Sequence, residues 1–159
     1  MLEKKLKIVI IGGTGLVGPH LVQEFIQDDF DHDIILLNRS GRSNFCEMAI
    51  AVDRKDTAAL EETLTDIQPD LVMDTIPFSA EDAKKTASIL QKLKSKPRVV
   101  IISSVDIYAA YARLHGTENI EIQPCPIIEN MPLRTTFGAE GKIYEKLGVE
   151  KAYRDAIEN

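Results

Sequence analysis

Gly12, Gly15 and Gly18 stand three residues apart, directly after a strand-like run from Leu6 to Ile11, apolar except for Lys7, and ahead of an apolar-faced segment. In a strand–loop–helix unit such glycines let the chain turn tightly and let backbone N–H groups approach a pyrophosphate. The N-terminus of the following helix adds its partial positive charge. The chemistry expected of Gly12, Gly15, Leu16, Val17 and Gly18 is therefore phosphate binding through the backbone. A plain structural βα turn is the alternative. Metal chemistry is not indicated. Cys46 and Cys125 make neither a ligand spacing nor a disulfide framework, and they suit two reduced thiols in the cytoplasm.

The elements that must position this loop alternate along the chain. Lys7–Ile11 has strand length and composition, and Leu16–Gln27 has helix spacing with Leu16, Val17, His20, Leu21, Glu24 and Phe25 on neighbouring turns. Asp33–Leu37 and Glu47–Val52 are further strand-length runs. Asp56 to Ile67 has helix spacing, with Asp56 as N-cap and Ala59, Leu60, Thr63, Leu64 and Ile67 along one side. Leu71–Thr75 forms a fourth strand. Ser79 followed by Asp82 suggests a capped helix to about Lys94, and Arg98–Ser103 a fifth strand. Residues 109–140 show no clear strand and form a long loop. A last helix runs from about Gly141 to Ile157. Continuous apolar strands separated by helices imply an α/β, doubly wound parallel sheet in the order 3-2-1-4-5, with helices on both faces.

The chain has 159 residues and suits one domain, 1–159, with no linker to a second. A net charge of −6 argues against general nucleic-acid affinity. The N-terminal apolar run is too short for a signal peptide or a membrane span.

Three stretches, Gly12-Gly13-Thr14-Gly15-Leu16-Val17-Gly18, Asp53-Arg54 and Ile102-Ser103-Ser104-Val105-Asp106-Ile107-Tyr108, together resemble one family. It is the extended, or atypical, branch of the short-chain dehydrogenase/reductases, the NAD-dependent epimerase/dehydratase proteins. The resemblance implies a Rossmann domain that binds a nicotinamide dinucleotide, with Asp53 at the adenine. Ile76, after the fourth strand, stands where family members place small residues beside the cofactor. The residue ending the second strand meets the adenosine ribose, and an acidic side chain there favours NAD. Here Asn38-Arg39-Ser40-Gly41-Arg42 offers two guanidiniums, which suit a 2′-phosphate. NADP is the expected cofactor, with Arg39 as its main phosphate contact, and NAD is the alternative. A solvated basic loop would need neither.

The same resemblance implies a reaction. Ser104 matches the family's carbonyl-polarising hydroxyl and Ser103 its strand-end neighbour. A tyrosine and lysine in Y-x-x-x-K would relay the proton. Both serines also suit simple caps of the strand end. Lys146 to Glu150 resembles the active-site helix, but Lys142 stands four residues before Lys146. Tyr144 is two residues ahead of Lys146, so the two share a face only if the helix starts after Tyr144. Asp106 stands where the family's dehydratases carry an acid. Tyr111, Arg113 and His115 are spaced so that a loop could present all three. Family members add a further strand and a substrate domain after this helix. The expectation is thus a Rossmann portion without a substrate domain, truncated, with an unidentified small-molecule substrate and a fifth-strand edge that a homodimer would cover. A non-catalytic dinucleotide sensor is the competing function, and an RNA-binding relative a weaker one.

Overall fold

Lys7–Ile11 is β-branched and apolar with no charge after its first residue, which suits a central strand buried on both faces. The computed structural model describes residues 5–27, 32–136 and 145–158. Within it Lys7–Ile11 is β1, followed by α1 (Gly18–Gln27), β2 (Asp33–Asn38), β3 (Met48–Ala51), α2 (Thr57–Ile67), β4 (Leu71–Asp74), α3 (Ala80–Lys92) and β5 (Arg98–Ile101). A 3₁₀ turn at Val105–Ile107, α4 (Ala109–Leu114) and α5 (Lys146–Glu158) complete the order. The strands form one parallel sheet in the order β3-β2-β1-β4-β5. That is the doubly wound arrangement expected. No helix among the described residues is long and apolar enough to cross a membrane.

The described chain divides into two compact units, the first of residues up to Ile76 with Lys85–Ile102, the second of Pro77–Lys84 with the residues from Ser103 on. In the first unit, the register pairs Ile10 with Leu36 and with Met73, so these side chains share a face. Val22 of α1 packs there with Ile8, and Leu21 and Phe25 lie against the cluster. The alternate residues Val9, Ile11, Leu37 and Val72 are equally buried, so the other face is covered too. Each such side chain contributes about 1.5–3 kcal/mol on burial.

Two expectations change here. Helix α1 begins at Gly18 rather than Leu16, and its inward stripe is Gly18, Leu21, Val22 and Phe25. Leu16 and Val17 are exposed, as are His20 and Glu24. Gly18 must sit against Gly13, which sets the first turn two residues later. Residues 109–140 are also not all loop, since α4 occupies the first six positions. Such a helix is shorter than the window in which periodicity shows.

Local signals elsewhere hold. Asp56 caps α2 by accepting from the Ala59 N–H at 3.1 Å, and the Ser79 hydroxyl accepts from the Asp82 N–H at 3.1 Å. Gln68 closes α2 in the left-handed conformation, φ 49°.

The second unit is built on irregular backbone. Tyr108 bridges Leu133, the Ala109 N–H donates to the Pro132 carbonyl at 2.9 Å, and the Arg134 N–H donates to the Ile107 carbonyl at 2.9 Å. Helix α5 buries Lys146, Val149, Ala152 and Tyr153, and the backbone carbonyl of Glu145, just before it, accepts from the Val149 N–H at 2.9 Å.

Candidate functional site

In the first unit, the glycine loop starts where β1 ends. Gly12 has φ 81°, a conformation that disfavours L side chains, and its N–H donates to the Leu37 carbonyl at 2.9 Å. A Cβ on Gly18 would lie 2.0 Å from the Gly13 carbonyl oxygen, so only glycine lets α1 start against the loop. Gly15 is different. A Cβ there would meet only the Gly12 oxygen, at 3.5 Å. Thr14 to Val17 are exposed, with Leu16 90% accessible, so this stretch of backbone is open to a ligand. Pro19 carries no N–H and the Leu21 N–H donates to the Val17 carbonyl at 3.2 Å, so Gly18 and His20 are the residues of the first turn whose N–H groups can meet a ligand, and no carboxylate stands in that turn to compete for them. Backbone donors, open space and a positive helix end fit a pyrophosphate.

The segment after β2 is shaped by Asn38, which is buried. Its Oδ1 accepts from the Ser40 N–H (3.0 Å), the Ser40 hydroxyl (2.8 Å) and the Gly41 N–H (2.7 Å), while its Nδ2 donates to the Arg42 carbonyl (3.1 Å). Asn38 is thus engaged with its own loop, and the charged side chains that residues 39–42 present outward are Arg39 and Arg42, both exposed. Asp53 is exposed as well, and its carboxylate accepts from the Lys55 N–H at 3.0 Å.

A pair that the motif reading passed over lies beneath. The Arg54 guanidinium forks onto the fully buried Asp74 carboxylate, with both N···O distances 2.9 Å. It also donates to the Ile76 carbonyl at 2.7 Å and to the Thr86 hydroxyl at 3.1 Å. The sequence signal was present: a carboxylate ending an apolar strand needs a cation, since an unpaired buried charge is costly.

In the second unit, the Ser104 hydroxyl accepts from the Asp106 N–H at 3.2 Å and caps the 3₁₀ turn. That leaves its own O–H to donate. The Ser103 hydroxyl instead donates to Glu150 on α5. Lys146, one helical turn before Glu150, is buried with its ammonium 5.7 Å from the centre of the Phe78 ring. Tyr144 and Lys142 lie outside the described residues.

Asp106 forms an ion pair at 2.9 Å with Arg134, whose side chain is 4% exposed, and lies 3.5 Å from His115. Arg134 also donates to the Asp106 carbonyl and to the Thr117 hydroxyl. Arg113 donates to the Ile120 carbonyl, and Tyr111 stands edge-on to His115 at 6.3 Å. One oxygen of Glu118 accepts from the N–H and hydroxyl of both Thr135 and Thr136, between 2.5 and 3.1 Å. These donors, the Thr136 N–H foremost, hold the Glu118 carboxyl below its ordinary value. Neither Arg134 nor Glu118 was singled out from the sequence.

Solved structures show the same fold. A candidate epimerase from Burkholderia cenocepacia J2315 superposes with a TM-score of 0.68 at 18% identity, covering 96% of this chain and 50% of that one. A wide-type short-chain dehydrogenase/reductase from Veillonella parvula DSM 2008, solved in complex with NADP, gives 0.65 at 14%, covering 96% and 65%. The Bordetella bronchiseptica enzyme WbmH, solved with NAD+, gives 0.65 at 15%, covering 98% and 53%. The chain therefore spans between 50% and 65% of the length of these three structures. No curated protein matches the sequence. The model of the NAD dependent epimerase/dehydratase family matches residues 8–131, and the chain belongs to that family.

Proposed function

We propose that this chain is the nicotinamide-dinucleotide-binding portion of an oxidoreductase or nucleotide-sugar epimerase/dehydratase-like protein, and that it prefers NADP(H) to NAD. The observation that carries the preference is the loop after β2. Its one polar strand-end side chain, Asn38, is taken up by four hydrogen bonds within the loop, and two exposed guanidiniums remain to meet a ligand. A 2′-phosphate gains charge-assisted hydrogen bonds there, whereas a ribose hydroxyl finds no carboxylate. Gly12, Gly15, Leu16, Val17 and Gly18 would hold the pyrophosphate, Asp53 the adenine end, and Ile76 the wall beside the glycine loop. The bound nicotinamide would supply hydride transfer, and Ser104 would donate a hydrogen bond to a substrate carbonyl.

Titration calorimetry with NADP+ and NAD+ tests the preference. NADP+ should bind at least about tenfold tighter, the scale of one charge-assisted contact, and Arg39→Ala should erase the difference. Equal affinities in the wild type would overturn it.

A second reading, a dinucleotide sensor without turnover, is favoured by one feature. The position four residues before Lys146 holds Lys142 and not a tyrosine. The sensor binds NADP(H) but turns over no sugar nucleotide or carbonyl compound. An enzyme shows cofactor oxidation or reduction that disappears in Ser104→Ala.

A further inference from the structure

The ion pair between Arg54 and Asp74 reaches the dinucleotide loop through a single residue. Asp74 ends β4 opposite Ile11, the residue before Gly12. Its Oδ1 accepts from the Ile76 N–H at 3.2 Å, while Arg54 donates to the Ile76 carbonyl at 2.7 Å. Both backbone polar groups of Ile76 are therefore held by one buried ion pair. The Ile76 side chain in turn fills the space beside Gly12, where an added Cβ would come within 2.6, 2.8 and 2.9 Å of its Cγ1, Cγ2 and Cδ1 atoms. Thr75 is tied to the same strand end, its N–H and its hydroxyl both donating to the Ile11 carbonyl.

We infer that Arg54 is a positioning residue for dinucleotide binding, acting through Asp74 and Ile76 to hold the wall against which the glycine loop takes its shape. The inference rests on the dinucleotide-binding reading above. A fork of two parallel N–H···O bonds is needed, because Arg54 serves Asp74, Ile76 and Thr86 at once. Lysine keeps the charge but lacks the planar fork. Since Ile76 adjoins the glycine loop and not the loop of Arg39, NADP and NAD should be affected alike.

The test is calorimetric titration of the whole chain with NADP+ and with NAD+, below the melting transition of each variant. Arg54→Lys should weaken both cofactors by about tenfold and leave their ratio unchanged, the loss expected when a supporting contact lets a site loosen. Ile76→Ala should do the same, and the double variant should be no weaker than the worse single one. Thr86→Val removes only the outermost of the Arg54 contacts and keeps the fold, so a loss of about two- to threefold is expected. Wild-type binding with Arg54→Lys and Thr86→Val unaffected would overturn this inference alone, as would losses that multiply in the double variant. A wild-type chain that takes up neither dinucleotide would overturn the parent reading and this one together.

Discussion

Residues up to Ile76 with Lys85–Ile102 are joined by four parallel ladders, and every strand side chain of β1 after Lys7 is buried. Among the described residues of Pro77–Lys84 and from Ser103 on, one isolated bridge takes the place of a sheet. Single charged side chains hold the backbone there instead: Arg134 gathers Asp106 and Thr117, and Glu118 gathers Thr135 and Thr136. The first unit spreads its cohesion over strand ladders and many small apolar contacts, whereas the second adds to a smaller set of buried apolar residues a few ionic clasps on its irregular backbone. The first should therefore be sensitive to shape and the second to charge and pH.

The largest effect should come from shape. Gly18→Ala sets a Cβ 2.0 Å from the Gly13 carbonyl oxygen and should cost roughly 3 kcal/mol or more in urea denaturation, because backbone must move. Gly15→Ala, whose Cβ would meet nothing closer than 3.5 Å, should leave stability within about 0.5 kcal/mol. It should nonetheless weaken NADP+ binding about tenfold, since the added methyl occupies the approach of the pyrophosphate. If the two variants were equally unstable, the distinction between a packing glycine and a ligand glycine would fail.

Next in size is Arg134→Met, which keeps bulk and removes charge. It leaves the Asp106 carboxylate, 27% exposed, without its main partner, and a loss of about 2–3 kcal/mol is expected. Amide exchange should speed up at Ala109 and at residue 134, whose N–H groups tie the 132–134 segment to the 3₁₀ turn and α4. A variant as stable as the wild type would show that apolar contacts, not ions, hold this unit.

The smallest effect should be Glu118 and acid. Its folded-state carboxyl lies below 4.5, so the folded state binds fewer protons than the unfolded one. The contribution is complete above about pH 4.5 and fades as pH falls through the lowered value. NMR shifts of the Thr135 and Thr136 amides should follow that titration, and Glu118→Gln should remove it. Amide shifts that ignore acid would refute the clasp.

How much was legible varies with the range of the interaction. The strand order followed from alternating apolar runs and right-handed crossovers, because burial on both faces of a parallel sheet leaves only such runs. The caps at Asp56 and Ser79 were legible because their partners are three residues away. The inward stripe of α1 was misjudged at its start, since the contact that sets it, Gly18 on Gly13, belongs to the packed loop. Helix α4 was too short to show a period. Arg54 finds Asp74 across 20 positions and Arg134 finds Asp106 across 28, separations at which no local pattern names the partner.

By itself the sequence determined the glycine-rich turn after the first strand, the parallel sheet and the family, because these depend on periodicity and on glycine at fixed spacing. Only the tertiary structure decided which glycine packs and which stays open. It also decided that Asn38 turns inward while Arg39 and Arg42 face out, and that a buried guanidinium holds Ile76 behind the loop. Those outcomes depend on which atoms arrive within about 3 Å of one another, and hydrogen bonding at that range is set by the packed chain rather than by residue order.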